Sequence, residues 1–311
     1  MTTWGLSATI LAPARDILRF AAYHLEQGAH RLYIYLDDDT PEAFAPLKAH
    51  PKIRVQTCDT AYWKRHGGKR PDKHQVRQGT NATHAYHRRV EVNWLIHMDV
   101  DEFLVPQGDI GTVLGRLPDT TLSARSRPIE LLGGGQTAFK GFIPNGPARL
   151  DTVQKIYPTF GLYLKGGFVS HVAGKVFVRT GLPDVSIQIH NAFQAGEQLP
   201  RATELVQVDL AHCHATSWGA WLASYRYRLE RGSYRAELQP AIKAHKGGMN
   251  LHDLFRMIEA DAGEAGLRAF YDEVIGDSAD LRARLEAQGL LRLVDLDLDG
   301  CLARHFPDVS V

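Results

Sequence analysis

Three acidic residues directly follow a short apolar run near position 100. The run Trp-Leu-Ile-His-Met begins at Trp94, and Asp99, Asp101 and Glu102 come directly after it. Such a run is typical of a buried strand, and open α/β sheets bind ligands beyond the carboxyl ends of their strands. An acidic cluster at such an edge is costly unless a positive charge lies beside it. Because carboxylate oxygens suit hard divalent ions, the pattern predicts a site for Mn²⁺ or Mg²⁺.

The composition limits the class of protein. The 311 residues are enough for one large α/β domain, or for one domain with a helical appendage. The formal net charge of +1 gives no global attraction to nucleic acid. The three widely spaced cysteines favour a reducing compartment, and we find neither a signal peptide nor a membrane-spanning stretch. We therefore expect a cytoplasmic protein, with peripheral contact at the inner membrane and a homodimer left open.

Strands and helices alternate in the first part of the chain. The predicted strands are 4–11, 31–36 and 52–57, and the predicted helices are 13–28 and a stretch near 79–91. The apolar run before Asp99 then supplies a fourth strand. This alternation predicts a mostly parallel sheet flanked by helices, with right-handed crossovers.

The pattern changes after about residue 120. Further strands are predicted at 121–131, 174–180 and 205–212, and helices at 217–231, 250–260, 264–274 and 279–289. The tail 293–311 is apolar and acidic. We predict a catalytic domain over 1–232 and a helical C-terminal extension over 233–311.

A basic segment, 63–80, interrupts the alternating part of the chain. It contains Gly67, Gly68 and Pro71 among many lysines, arginines and histidines. Two interpretations stay open for it. It is either a solvated loop, or a flap that contacts phosphates or an anionic acceptor.

Four segments of the chain resemble known motifs. Trp94–Leu104 is similar to the signature hydrophobic-Asp-x-Asp-Glu-Phe, and Ile17–Tyr35 is similar to a helix LEWxxYHxxxG with the strand after it. Gly174–Arg179 is similar to a strand GKxIxR, and Leu210–Trp218 is similar to a segment HYxxxSxxxF. Together these motifs resemble those of bacterial glycosyltransferases of family 2 and the related family 92. The resemblance covers roughly residues 8–232. It implies the GT-A fold, which is a single nucleotide-binding α/β domain.

The resemblance also implies roles for single residues. The implied metal ligands are Asp99, Asp101 and His212, and the implied nucleotide-sugar ligands are Asp37, Asp39 and Lys175. Asp37 or Asp39 would bind the base or ribose. Lys175 would contact a phosphate, or is a strand-edge lysine. The chain departs from the family at Ala12-Pro13 and Arg19-Phe20, so preference for base and sugar does not transfer.

An inverting transfer needs a general base near the acceptor hydroxyl. Glu130 and Glu102 are the candidates, with Asp209 as a further alternative. Glu130 precedes the glycines at 133–135. Those glycines would let the backbone approach a sugar closely, or form a plain flexible turn.

The function predicted from these features is transfer of a hexose. A metal-dependent glycosyltransferase would move it from a nucleotide sugar, a UDP-sugar, to a glycan or lipid-linked acceptor with inversion. A non-catalytic nucleotide- or sugar-binding module is one alternative, because of the altered Ala12-Pro13. A haloacid-dehalogenase-like phosphatase is another, although Phe103 stands where its motif continues with Thr or Val.

Overall fold

The computed structural model describes residues 1–88, 91–243 and 248–309. The strands are β1 (Trp4–Ile10), β2 (Arg31–Leu36), β3 (Ile53–Thr57), β4 (Trp94–His97), β5 (Glu102–Pro106), β6 (Ser123–Ser126), β7 (Pro128–Leu131), β8 (Ala138–Lys140), β9 (Lys175–Arg179), β10 (Val185–Ile187), β11 (Ala192–Gln194), β12 (Glu197–Gln198), β13 (Thr203–Glu204), β14 (Val208–His212) and β15 (Leu291–Leu293). The helices are α1 (Ala14–Glu26), α2 (Pro41–Ala49), α3 (Thr60–Arg65), α4 (His74–His87), α5 (Ile110–Gly115), α6 (Arg149–Ile156), α7 (Trp218–Arg231), α8 (Leu251–Val274), α9 (Ala279–Ala287) and α10 (Leu298–His305), with a 3₁₀ turn at Gly161–Tyr163.

The chain forms two compact units. The first consists of Met1–Arg127, Gly174–Leu210 and Leu296–Val311, and the second of Pro128–Ala173 and Ala211–Asp295. These units do not follow the predicted boundary at residue 232. The second unit is instead made of two stretches that interrupt the first. Residues 244–247 and 310–311 of the predicted extension lie outside the described residues.

The first unit is built on a seven-stranded sheet of order β13-β6-β9-β4-β1-β2-β3. The pairs of β1 with β2, β1 with β4 and β2 with β3 are parallel, as the alternating pattern predicts. All six residues of β2 are buried, which is expected for a strand covered on both faces. Strand β9 runs antiparallel to both of its neighbours, β4 and β6. The fold is therefore mixed α/β with a mostly parallel central sheet.

The second unit has its own aromatic core. Strand β8 lies between β7 and β15 and is antiparallel to both. Helices α7 and α8 contribute Trp221, Tyr225, Phe255 and Phe270, which are buried in one cluster. The rings of Phe255 and Phe270 are 4.8 Å apart between centroids. Buried aromatic area of this kind supplies most of the stabilisation in a small core.

The prediction of one strand over 121–131 is wrong. Strand β6 ends at Ser126, β7 begins at Pro128, and the chain passes from the first unit to the second between Arg127 and Pro128. Pro128 has no backbone N–H to donate to a continuing ladder, so the strand breaks there. Arg127 stays in the first unit, where its carbonyl accepts the Leu210 N–H at 2.9 Å.

Other predicted bounds shift at the ends of elements. The helix predicted near 79–91 begins earlier, at His74, and ends at His87; residues 89 and 90 lie outside the described residues. The basic segment is partly helical, because α3 continues to Arg65 and α4 begins at His74. The helices predicted at 250–260 and 264–274 form α8, which is interrupted by non-helical backbone at Gly263. None of the helices within the described residues is long and apolar enough to cross a membrane.

The three glycines at 133–135 pack against protein in the second unit. The Gly133 N–H donates to the Ile275 carbonyl at 2.7 Å, and the Gly133 carbonyl accepts the Asp277 N–H at 2.9 Å. A Cβ on Gly133 would collide with the Tyr271 hydroxyl and would lie 2.6 Å from the Ala215 carbonyl oxygen. The glycine therefore permits close packing against the end of α8.

Replacing Gly133 with alanine should destabilise the second unit. The added methyl has no room beside Tyr271 and Ala215, so we expect a loss of about 1–3 kcal/mol in the free energy of unfolding. Gly146→Ala is the matched control, because a Cβ there has no heavy atom within 4 Å. Urea unfolding of the two variants measures the difference, and equal stability of both would contradict this packing.

Candidate active site

The acidic cluster lies in a turn at the carboxyl end of β4. The backbone N–H of Glu102 donates to the Asp99 carbonyl at 3.2 Å, and the Asp99 N–H donates to Glu102 Oε2 at 2.8 Å. These two bonds fix the first and last residues of the turn to each other. Asp101 is half-buried within the turn. Its role as a metal ligand stays a prediction.

Lys175 is the cation beside this cluster. Its Nζ lies 2.6 Å from Asp99 Oδ2 and 3.2 Å from Glu102 Oε2, and the Lys175 and Glu102 side chains are both 0% exposed. Burial alone would lower the pKa of Lys175, but the carboxylates of Asp99 and Glu102 raise it above the usual lysine value. Lys175 is therefore charged at neutral pH. Its ammonium contacts these carboxylates, and the contact with a phosphate that is one of the two interpretations from the sequence stays a prediction.

Asp37, directly after β2, is the buried member of the predicted nucleotide-binding pair. Its Oδ2 pairs with Arg77 at 2.8 Å and with Arg70 at 3.1 Å, and its side chain is 5% exposed. The Asp37 Oδ1 atom is also buried and has no hydrogen-bond partner among the described residues. Asp39 is exposed. Asp37 and Asp39 thus differ in burial, and the role of either in binding the nucleotide stays a prediction.

His97 and Ser7 are candidate site residues that the sequence analysis missed. They are paired across the parallel strands β4 and β1, so their side chains lie on the same face of the sheet. Both are buried, and within the described residues neither the His97 ring nitrogens nor the Ser7 hydroxyl has a hydrogen-bond partner. Burial, together with the nearby Lys175, lowers the pKa of His97 to about 4, so the ring is neutral. His97 could have been identified from the sequence, because it is a histidine inside an otherwise apolar strand.

Helix α4 covers this face of the sheet with amide side chains. Gln78 donates from Nε2 to Asp99 Oδ1, and Asn81 donates to the Thr9 hydroxyl at 3.0 Å. Both amides are buried. Three polar side chains of α4 therefore connect this helix to the ends of three strands. Asn81 contacts β1, Arg77 contacts Asp37 after β2, and Gln78 contacts Asp99 after β4.

In the second unit, Glu130 forms a buried ion pair with Lys140. Lys140 Nζ lies 2.9 Å from Glu130 Oε2, and both side chains are at most 2% exposed. Glu130 also accepts the backbone N–H groups of Val169 at 3.3 Å and Ser170 at 2.9 Å. Burial would raise the pKa of Glu130, but Lys140 and these donors lower it below the usual value. These contacts are those of a structural anchor, and the predicted role as general base stays untested.

His212 lies in a group of three histidine rings in the second unit. Its ring centroid is 5.0 Å from that of His171 and 5.2 Å from that of His214. Tyr234 and Arg228 fix His214, through a 3.2 Å contact to its Nε2 and a 2.7 Å hydrogen bond to its carbonyl. Burial lowers the pKa of His214 well below the usual value, so that ring is neutral. Neutral imidazoles are metal ligands, and the metal role of His212 stays a prediction.

Comparison with known proteins gives the class of the protein. It is an enzyme, a glycosyltransferase. The sequence model that matches is that of Glycosyltransferase family 92, over residues 12–118, about a third of the chain. The matched part includes the acidic turn and the strands β2, β3 and β4 before it. This class replaces the phosphatase alternative.

Two solved structures show weaker likeness. The crystal structure of HddC from Yersinia pseudotuberculosis is 10% identical, with a TM-score of 0.38 over 73% of this chain and 99% of that chain. The galactosyltransferase LgtC, in complex with donor and acceptor sugar analogs, is 12% identical, with a TM-score of 0.28 over 56% of this chain and 57% of that chain. No curated protein sequence matches the chain.

Lys140→Met should destabilise the protein by about 3–5 kcal/mol, because Glu130 is left charged and buried. The double variant Glu130→Gln/Lys140→Met should recover much of this loss.

Since the pKa of Glu130 is lowered in the folded state, its contribution to stability is present above the unfolded-state pKa and is lost as the pH falls through the folded value. Urea unfolding at pH 7 and below pH 4 measures both effects. If Glu130→Gln abolishes glycosyl transfer but leaves the free energy of unfolding unchanged, Glu130 is a general base and not a structural anchor.

Proposed function

We propose that the protein is a metal-dependent glycosyltransferase with a GT-A-like site, which moves a hexose from a UDP-sugar to a glycan or lipid-linked acceptor with inversion. The observation that carries the proposal is a group of buried polar atoms at the carboxyl ends of β2 and β4, and on β1 beside the end of β4, that have no hydrogen-bond partner within the described residues. Buried polar groups are nearly always satisfied, so such atoms at this edge of an α/β sheet indicate a ligand.

The atoms suit a nucleotide. Asp37 Oδ1 is a carboxylate oxygen, which would accept from a ribose hydroxyl or a base N–H. Arg70 and Arg77 orient this carboxylate and neutralise its charge. A neutral His97 ring has one donor and one acceptor, and the Ser7 hydroxyl beside it has both capacities. These groups would bind polar, uncharged parts of the donor.

Asp101 is the residue of the acidic turn that we propose as metal ligand. Asp99 fits this role poorly, because Gln78 and Lys175 donate to its two oxygens. A divalent ion at Asp101 would neutralise the charge that develops on the diphosphate leaving group. The Asp99 and Glu102 carboxylates are occupied by Lys175 and would fix the turn that presents Asp101.

The partners that we propose are a sugar donor and an acceptor, because a glycosyltransferase requires both. No observation on residues 1–88, 91–243 and 248–309 supports the expected peripheral membrane contact or homodimer, and neither is proposed.

UDP should bind to the wild-type protein in the presence of Mn²⁺, and Asp37→Asn should weaken the binding at least tenfold. The physical reason is the loss of the buried carboxylate that would accept from the nucleotide. Asp39→Asn is the matched control, since its exposed side chain predicts a change below about threefold. Calorimetric titration with UDP and GDP, with and without Mn²⁺, gives the affinities, and thermal unfolding verifies that the variants fold. If neither nucleotide binds to the wild type, the proposed function fails.

A further inference from the structure

A lysine side chain from another strand neutralises part of the acidic turn. Asp99, Asp101 and Glu102 place three carboxylates within four residues, and this density is what predicts a divalent ion from the sequence. In the structure the ammonium of Lys175 lies between Asp99 Oδ2, at 2.6 Å, and Glu102 Oε2, at 3.2 Å. The carboxylates of Asp99 and Glu102 are therefore compensated by a protein side chain.

Both oxygens of Asp99 are engaged by protein donors. Oδ2 accepts from Lys175 and Oδ1 from Gln78, whose side chain is 2% exposed. A divalent ion at either oxygen would have to share that oxygen with one of these donors, because each carboxylate oxygen has two lone pairs. It would also lie within a few ångströms of a buried ammonium, where like charges are poorly screened.

Lys175 is also held in place by the backbone around it. Gly174 has φ +67, a conformation that side-chain-bearing residues rarely adopt, and a Cβ there would collide with the Ser126 carbonyl. The Gly174 carbonyl contacts His190 Nδ1 at 3.0 Å. Residues 175 and 126 are paired across β9 and β6, so the lysine stem starts from a fixed position in the sheet.

We infer that Lys175 is the permanent counter-cation of Asp99, so that Asp99 is a positioning residue of the acidic turn and not a metal ligand. The motif Gly174-Lys175 then has a physical purpose. The glycine lets β9 start close against β6, and the lysine ends beside the turn that follows β4. The statement that Asp99 is not a metal ligand rests on the proposed function, because that function supplies the metal. The ion pair of Lys175 with Asp99 does not depend on it.

The test compares Asp99→Asn, Asp101→Asn, Lys175→Met and the double variant Asp99→Asn/Lys175→Met. Calorimetry measures Mn²⁺ binding with UDP present, and urea unfolding measures stability. We expect Asp99→Asn to change Mn²⁺ affinity less than threefold and Asp101→Asn to weaken it at least tenfold. Lys175→Met should lower the unfolding midpoint. The double variant should recover only part of that loss, because the uncharged amide at position 99 needs no counter-ion while the buried Glu102 still does.

Two results would overturn the inference. One is a loss of Mn²⁺ affinity in Asp99→Asn as large as in Asp101→Asn. The other is additive loss of stability in the double variant, which would mean that Asp99 and Lys175 do not interact. If Lys175→Met does not fold, the Mn²⁺ affinities of Asp99→Asn and Asp101→Asn, which both keep Lys175, still decide whether Asp99 is a metal ligand. If UDP does not bind to the wild type, the proposed function fails, while the stability comparison continues to test the ion pair.

Discussion

The arrangement of the first unit depends on one electrostatic constraint, the need to compensate carboxylates that are buried at the end of β4. Glu102 is fully buried, and a buried carboxylate without a partner costs several kcal/mol. Lys175 meets this need only because β9 runs antiparallel beside β4, which brings the first residue of β9 to the last residues of β4. Strand β9, which runs antiparallel to β4, is thus the strand that supplies the cation. A parallel neighbour would present its carboxyl end there and not its first residue.

Much of the first unit was predictable because its signals are local. The strands β1, β2 and β3 and the helix α1 agree with the predictions to within a few residues, since buried parallel strands form continuous apolar runs and α1 is bounded by Pro13 and Gly28. The break between β6 and β7 was missed because a single residue, Arg127, separates the two strands and only Pro128 marks it. The division into units was also missed. It depends on which distant segments pack together, and no local pattern records that.

The candidate site was predictable in position but not in detail. The sequence placed the acidic cluster after a strand, where the structure has it, and it named Lys175 and Asp37 as site residues. It did not predict that Lys175 would pair with Asp99, because the two residues are 76 positions apart. The same holds for Glu130 and Lys140, which lie on the adjacent strands β7 and β8 and pair across them. Each unit therefore contains a buried lysine that neutralises a buried glutamate, and in neither case does spacing along the chain reveal the partner.

The last described helix gives the first unit an unusual order of assembly. Helix α10 belongs to that unit, and its Asp299 pairs with Arg19 of α1 at 2.6 Å while Arg304 pairs with Glu26 at 3.1 Å. These pairs are exposed and individually weak, but the buried Cys301, Leu302 and Phe306 accompany them. Because Arg19 and Asp299 are 280 positions apart, α1 leaves the ribosome long before its partner, and the first unit cannot be completed until the whole second unit has been made. Native contacts of such long range slow folding and leave the part of α1 that α10 contacts exposed until α10 has been made.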